Sequence, residues 1–168
     1  MRIQKLHSEA VFSEDGKYRY LLSRQWSDFA PRVLFIMLNP STADAEANDP
    51  TVKRCVDYAH EWGYGSIEVA NLFALRSTDP SRLLKDKDPI GPDNLLMIEA
   101  ALTRAKMVVG AWGNNVDPKH RISTARRVID MVRKTHDLYA LSRTNAGEPG
   151  HPLYLKVDAK PFIIYERT

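Results

Sequence analysis

Polar side chains recur in this chain where short apolar runs stop. Asn39-Pro40-Ser41-Thr42 follows the run Val33 to Leu38, Asn71 ends Ile67 to Ala70, Asn114-Asn115 follow Met107 to Trp112, and Ser142-Arg143-Thr144 follow Leu138 to Leu141, with His151 a few residues on. Carboxamides offer a donor and an acceptor together, which suits the edge of a nucleobase, while hydroxyls and arginines suit phosphate. A histidine adds a group that changes charge near neutrality. The set is poor in the paired carboxylates of a sugar glycosidase, and no Gly-rich loop carries the lysine of a nucleotide hydrolase. Each residue also has a structural role open to it. Asn at a strand end is a turn former, and His151 beside Gly150 and Pro152 suits a surface or capping position. Asp44 and Asp49 read as helix caps in preference to metal ligands, since no third acidic residue lies nearby to complete an oxygen cage. No cofactor or metal is expected.

Buried strands must hold these turns. Val33-Leu34-Phe35-Ile36-Met37-Leu38 is continuous, apolar and too short for a core helix, so it reads as a strand covered on both faces. Pro40 then fixes φ and biases Asn39 away from the helical region. Asp49-Pro50-Thr51 starts a helix whose apolar face runs from Val52 to Trp62, and Gly63 to Gly65 end it. Residues 67–73, 107–112 and 138–141 read as strands, and 92–106 and 118–134 as helices. Ahead of them, Ala10-Val11-Phe12 and Tyr18 to Leu22 flank Asp15-Gly16, a hairpin signal expected at the sheet edge. Residues 161–165 are a candidate final edge strand. Alternating strands and helices predict an α/β protein, three-layer α/β/α, with a mostly parallel central sheet. In such sheets the carboxyl-end turns meet in one crevice, which would gather Asn39, Ser41, Thr42 and Asp44, then Asn71 and Arg76, then Asn114 and Asn115, and last Ser142, Arg143, Thr144, Asn145 and His151.

The 168 residues fit one domain, 1–168, with 43% hydrophobic and 27% charged residues. Cys55 is the single cysteine, so no intrachain disulfide or cysteine-based zinc site can form. Net charge is +3 and the pI about 9.0, which permits phosphate contact without demanding it. The N-terminus lacks an apolar leader core and no stretch approaches a membrane span, so a cytoplasmic protein without a membrane partner is expected.

Leu38-Asn39-Pro40-Ser41-Thr42-Ala43-Asp44, Asp49-Pro50-Thr51, Ala70-Asn71-Leu72-Phe73-Ala74-Leu75-Arg76, Trp112-Gly113-Asn114 and Gly150-His151-Pro152-Leu153-Tyr154-Leu155 together resemble a bacterial and phage family catalogued as a domain of unknown function. The same blocks, in the same order, are more distantly similar to the motifs of the uracil-DNA glycosylase superfamily. That likeness implies a glycosylase-like fold and hydrolysis of the N-glycosidic bond of a nucleobase in DNA or a nucleotide. It places Asn39 at the position that orients the attacking water and Asn71 at the position that reads the base. Trp112-Gly113-Asn114 falls on the third-strand turn, His151 faces the leaving base, and Leu153 is the wedge. Pro40, Ser41, Thr42, Arg76, Asn114 and Arg143 are the further candidate substrate contacts. The alternative is a non-catalytic nucleic-acid or nucleotide binding module on the same scaffold.

Overall fold

A computed structural model describes residues 7–115 and 118–168, without the side chains of 118–121. The N-terminal residues read above for a leader lie outside the described set. Seven strands, β1 (His7–Phe12), β2 (Arg19–Gln25), β3 (Arg32–Met37), β4 (Ser66–Asn71), β5 (Met107–Gly110), β6 (Leu138–Ala140) and β7 (Phe162–Tyr165), form one sheet in the order β1-β2-β4-β3-β5-β6-β7. Three helices join the central strands: α1 (Pro50–Glu61), α2 (Asn94–Leu102) and α3 (Pro118–Arg133).

The strands β4, β3, β5 and β6 run parallel, while β1, β2 and β7 pair antiparallel with their neighbours. Three of the six pairings are therefore parallel, which corrects the expected mostly parallel sheet to a mixed one. Parallel pairing needs a long crossover, and here only β3 to β6 are linked by helices. The hairpin is also only half an edge feature. Strand β1 lies outermost, but β2 is inserted between β1 and β4.

Side chains alternate across the spine strand β3. Leu34 and Ile36 join a core with α2 and α3 residues such as Ile98, Ala101, Val128 and Val132, whereas Val33, Phe35 and Met37 join one with Val52, Cys55, Tyr58 and Ala59 of α1. Helices thus cover both faces, which is why the run carries no polar alternation. Val33, Leu34, Phe35 and Ile36 are fully buried, each worth about 1.5–3 kcal/mol of transfer free energy. The connection β3-α1-β4 moves one way along the sheet and β4-α2-β5 crosses back over β3. Loops therefore part to opposite faces at the carboxyl end of β3, the switch point where open sheets form a crevice.

The opposite end of the sheet is tied by charge. Buried Glu68 accepts from Arg104 at 2.9 Å and pairs with Arg32 at 3.3 Å. Among the described residues, no helix is long and apolar enough to cross a membrane.

Candidate functional site

The carboxyl ends of β3, β4 and β5 are level. Met37 pairs with Asn71, and the ladder runs on past the strands through Leu72 N–H to Met37 O (2.8 Å), Phe73 N–H to Leu38 O (3.0 Å) and Ala111 N–H to Ile36 O (2.8 Å). On the α1 face these ends enclose a cleft of about 140 Å³. Asn39 and Ser41 line it after β3, Asp49, Thr51 and Val52 at the start of α1, Asn71 at the end of β4, and Ser77 and Thr78 in the loop beyond. Trp112, Asn115 and His151 complete the far wall, and Arg19 reaches it from β2.

Local chemistry fixes each part. Asp49 caps α1, its Oδ1 accepting from Val52 N–H at 2.8 Å, with Pro50 at the first helical position. That capping role was the one expected, and it also brings a carboxylate to the cleft wall. Asn39 donates from Nδ2 to the carbonyls of Ser77 (2.8 Å) and Pro40 (3.1 Å), clamping the β3 turn to the β4 loop. Its Oδ1 accepts from no described residue. Asn71 is 1% exposed and its Nδ2 has no hydrogen-bond partner among the described residues. Asn94, at the start of α2, instead donates to the backbone carbonyls of Asn71 and Leu72 at 2.8 and 3.2 Å, which holds the end of β4 without touching the Asn71 amide.

The segment carrying His151 is folded back onto β5. Gly113 N–H donates to Pro149 O at 2.8 Å, Gly150 N–H to Ser142 O at 3.0 Å, and Trp112 Nε1 to Glu148 Oε2 at 2.6 Å. Close approach requires glycine at 150, where a Cβ would lie 1.8 Å from Ser142 Oγ. Beyond the histidine, Tyr58 donates to Lys156 O at 2.6 Å and Arg54 to Leu155 O, both from α1. His151 Nδ1 accepts from Leu153 N–H at 3.2 Å, capping the 3₁₀ turn Pro152–Tyr154. An accepting Nδ1 carries no hydrogen, so the neutral ring bears its proton on Nε2, which meets no described partner. Burial pushes the His151 pKa below its ordinary 6.5, with nearby Asp49 opposing, so the ring is neutral at pH 7.

Of the residues singled out from sequence, Asn39, Ser41, Asn71, Asn115 and His151 come together in the cleft. Others lie elsewhere for visible reasons. Pro40 is buried and gives its carbonyl to Ser77 N–H at 3.0 Å. Thr42 is exposed and does not line the cleft. Arg76 donates to Gly16 O at 3.1 Å and lies 4.7 Å above the Phe12 ring, pinning the β1–β2 turn. Asn114 accepts from Thr144 at 3.0 Å and leaves the wall to Asn115. Arg143 is exposed and bridges to Pro149 through its backbone. Leu153 is 36% exposed and follows the turn outward.

Sequence reasoning missed Arg19, Asp49 as a cleft residue, and the Ser77-Thr78 pair. Arg19 reaches the cleft through the pairing of β2 with β4, which the sequence did not show. A strand running antiparallel to β4 presents its first residue at the carboxyl edge of the parallel strands, where Arg19 N–H meets Ala74 O at 3.0 Å. Larger hollows lie elsewhere, of about 450 Å³ between α2 and α3 and about 310 Å³ beside Glu68. Neither is lined by a described buried polar atom that lacks a partner. Among the described residues no group of three His, Cys, Asp or Glu side chains is placed to hold a metal.

Residues 19–153, most of the chain and all of this cleft, match the profile of a family described as a protein of unknown function (DUF1643), and the chain belongs to that family. No curated protein and no solved structure matches it.

Proposed function

We propose that the cleft takes a single nucleobase and hydrolyses its N-glycosidic bond, in DNA or in a nucleotide. The observation that carries the reading is the Asn71 side chain, which lines the cleft, is 99% buried and has its Nδ2 donor unpaired. A buried donor left unsatisfied costs about 1–3 kcal/mol, and a carbonyl on a base edge would satisfy it. The cleft, at about 140 Å³, is below the roughly 300–1,000 Å³ of sites for drug-sized ligands, so it suits one ring of a larger molecule. Trp112 gives that ring an apolar wall.

Cleaving a base from its sugar builds positive charge on the sugar and negative charge on the base. The Asn39 Oδ1, which accepts from no described residue, can orient a water, and the Asp49 carboxylate is the group on the cleft wall able to take its proton. His151, neutral and protonated on Nε2, supplies a donor for the departing base. The glycosylase likeness agrees on Asn39, Asn71 and His151 and departs at Met37, which stands where the superfamily has glycine. Met37 is buried and lines the cleft, so a base would enter past a side chain instead of bare backbone. In a duplex the base must be flipped out, and exposed Leu153 and Tyr154 beside His151 are the apolar groups for the gap it leaves.

Release of free base from single- and double-stranded oligonucleotides and from nucleotides, bearing uracil, mismatched, deaminated or hypermodified bases, tests this reading. Wild-type protein should release one base class, with Asn39→Ala and His151→Gln slower by about 10²-fold or more. Binding without release from any substrate would leave a recognition module in place of an enzyme.

A further inference from the structure

Arg19 is 2% exposed yet lines the cleft, and its guanidinium is mostly unused. Nη1 donates to Ala43 O at 2.9 Å, Nε is buried without a partner, and no carboxylate comes within 4.0 Å among the described residues. Burial pulls its pKa down to about 10, with Asp49 opposing and Arg76 and Arg24 adding to the fall, so it stays charged at pH 7. A buried cation with neither a counter-ion nor a full set of acceptors is costly.

Holding the neighbouring loop does not account for it. Arg24, on the same strand and equally buried, spends its nitrogens on Asn48 Oδ1 at 2.8 Å and on the carbonyls of Ser23, Asp44 and Ala47. Arg24 is therefore the strut of the 44–48 loop. The cleft that Arg19 lines is also lined by Ser41, Thr51 and Thr78, whose hydroxyls are not hydrogen-bonded to a described residue. Guanidinium N–H groups and hydroxyls lining one cleft form the donor set that phosphate oxygens take. Asp49, the one carboxylate among the described lining residues, already accepts from the start of α1.

We infer that Arg19, with Ser41, Thr51 and Thr78, forms an anion subsite of this cleft that binds a phosphate, either the monoester of a nucleotide or the diester of a strand. Naming the anion a nucleotide phosphate rests on the nucleobase reading of the same cleft; the subsite itself does not.

Calorimetric titration of the full chain with inorganic phosphate, deoxynucleosides, their 5′-monophosphates and a short single-stranded oligonucleotide tests it. A phosphate-bearing ligand should bind about tenfold or more tighter than the matching nucleoside, and Arg19→Gln should erase the difference. Arg19→Lys should recover part of it through charge without the fork. Thr78→Val, on an exposed loop residue, should weaken phosphate binding several-fold and serves if the Arg19 variants do not fold. Asp49→Asn keeps an N-cap residue and should tighten phosphate binding. Monophosphates favoured over nucleosides identify the monoester; an oligonucleotide bound with monophosphates ignored identifies the diester. Nucleosides bound as well as both phosphate ligands would overturn the subsite and leave the nucleobase reading standing. Arg19-dependent phosphate binding with no base preference would do the reverse. No binding of any phosphate ligand would overturn the subsite.

Discussion

Replacing Asn71 by leucine should stabilise the protein while abolishing recognition. Leucine has nearly the shape of asparagine and suits the end of a buried strand, so the substitution opens no cavity. The Asn71 Nδ2 has no partner to lose, and the backbone carbonyl that Asn94 holds at 2.8 Å is untouched. What disappears is the penalty of a buried unsatisfied donor, about 1–3 kcal/mol. For a chain of this length each kcal/mol moves the melting temperature by about 2–4 °C, so a rise of several degrees is expected. Thermal and urea denaturation of ligand-free wild type and Asn71→Leu read the stability. Titration with the bases released by the wild type reads recognition, expected to fall about tenfold or more. A melting temperature lowered by several degrees would mean that the amide is satisfied in the resting protein and is not held in reserve for a ligand.

His151 makes stability depend on pH. Its folded pKa lies below the unfolded 6.5, so unfolded chains bind the proton more readily, and its contribution is intact above pH 6.5 and lost as pH falls through the depressed folded value. Melting temperatures of wild type should therefore fall more steeply than those of His151→Gln as pH drops below 6.5, and parallel profiles would contradict the burial argument. Gly150→Ala should destabilise the protein and slow base release, since its Cβ meets Ser142 Oγ at 1.8 Å. Removing that oxygen in the Ser142→Ala, Gly150→Ala pair should recover part of the loss, a coupling read by a double-mutant cycle in urea.

Much of the scaffold was legible because it rests on local patterns. The run from Val33 to Met37 is buried on both faces, the Asp49-Pro50 start of α1 lies where its cap chemistry puts it, and the helix faces follow their apolar spacing. Sheet order was not legible, since pairing partners are chosen by long-range packing. That is how β2 came to lie beside β4 and carry Arg19 to the crevice. Among the candidate site residues, Asn71 at the end of β4, Asn39 and Ser41 in the turn after β3, and Asn115 and His151 further along fell into the cleft. Other residues of the same turns were spent on loop closure, as Arg76 on Gly16 and Asn114 on Thr144. Strand topology fixes where a turn begins, while hydrogen bonds to loops distant in sequence decide where some of its side chains go.

The same division explains why unsatisfied groups collect at this end of the molecule. Within a sheet every backbone donor finds the next strand, and a side chain there is free to be apolar. Where β3 and β4 stop, the chain must part to opposite faces, and backbone carbonyls need side-chain donors: Asn94 serves Asn71 and Leu72, Asn39 serves Ser77, Arg24 serves Asp44 and Ala47. Those struts spend the nearby side-chain donors on backbone carbonyls, and Arg19 Nε and Asn71 Nδ2 stay buried and unpaired. A native fold leaves few buried polar atoms without partners, and each needs an explanation. Here one cleft contains both a cation and a carboxamide in that condition. A ligand that brought an anion to one and a carbonyl to the other would satisfy both at once, a combination found in a nucleotide.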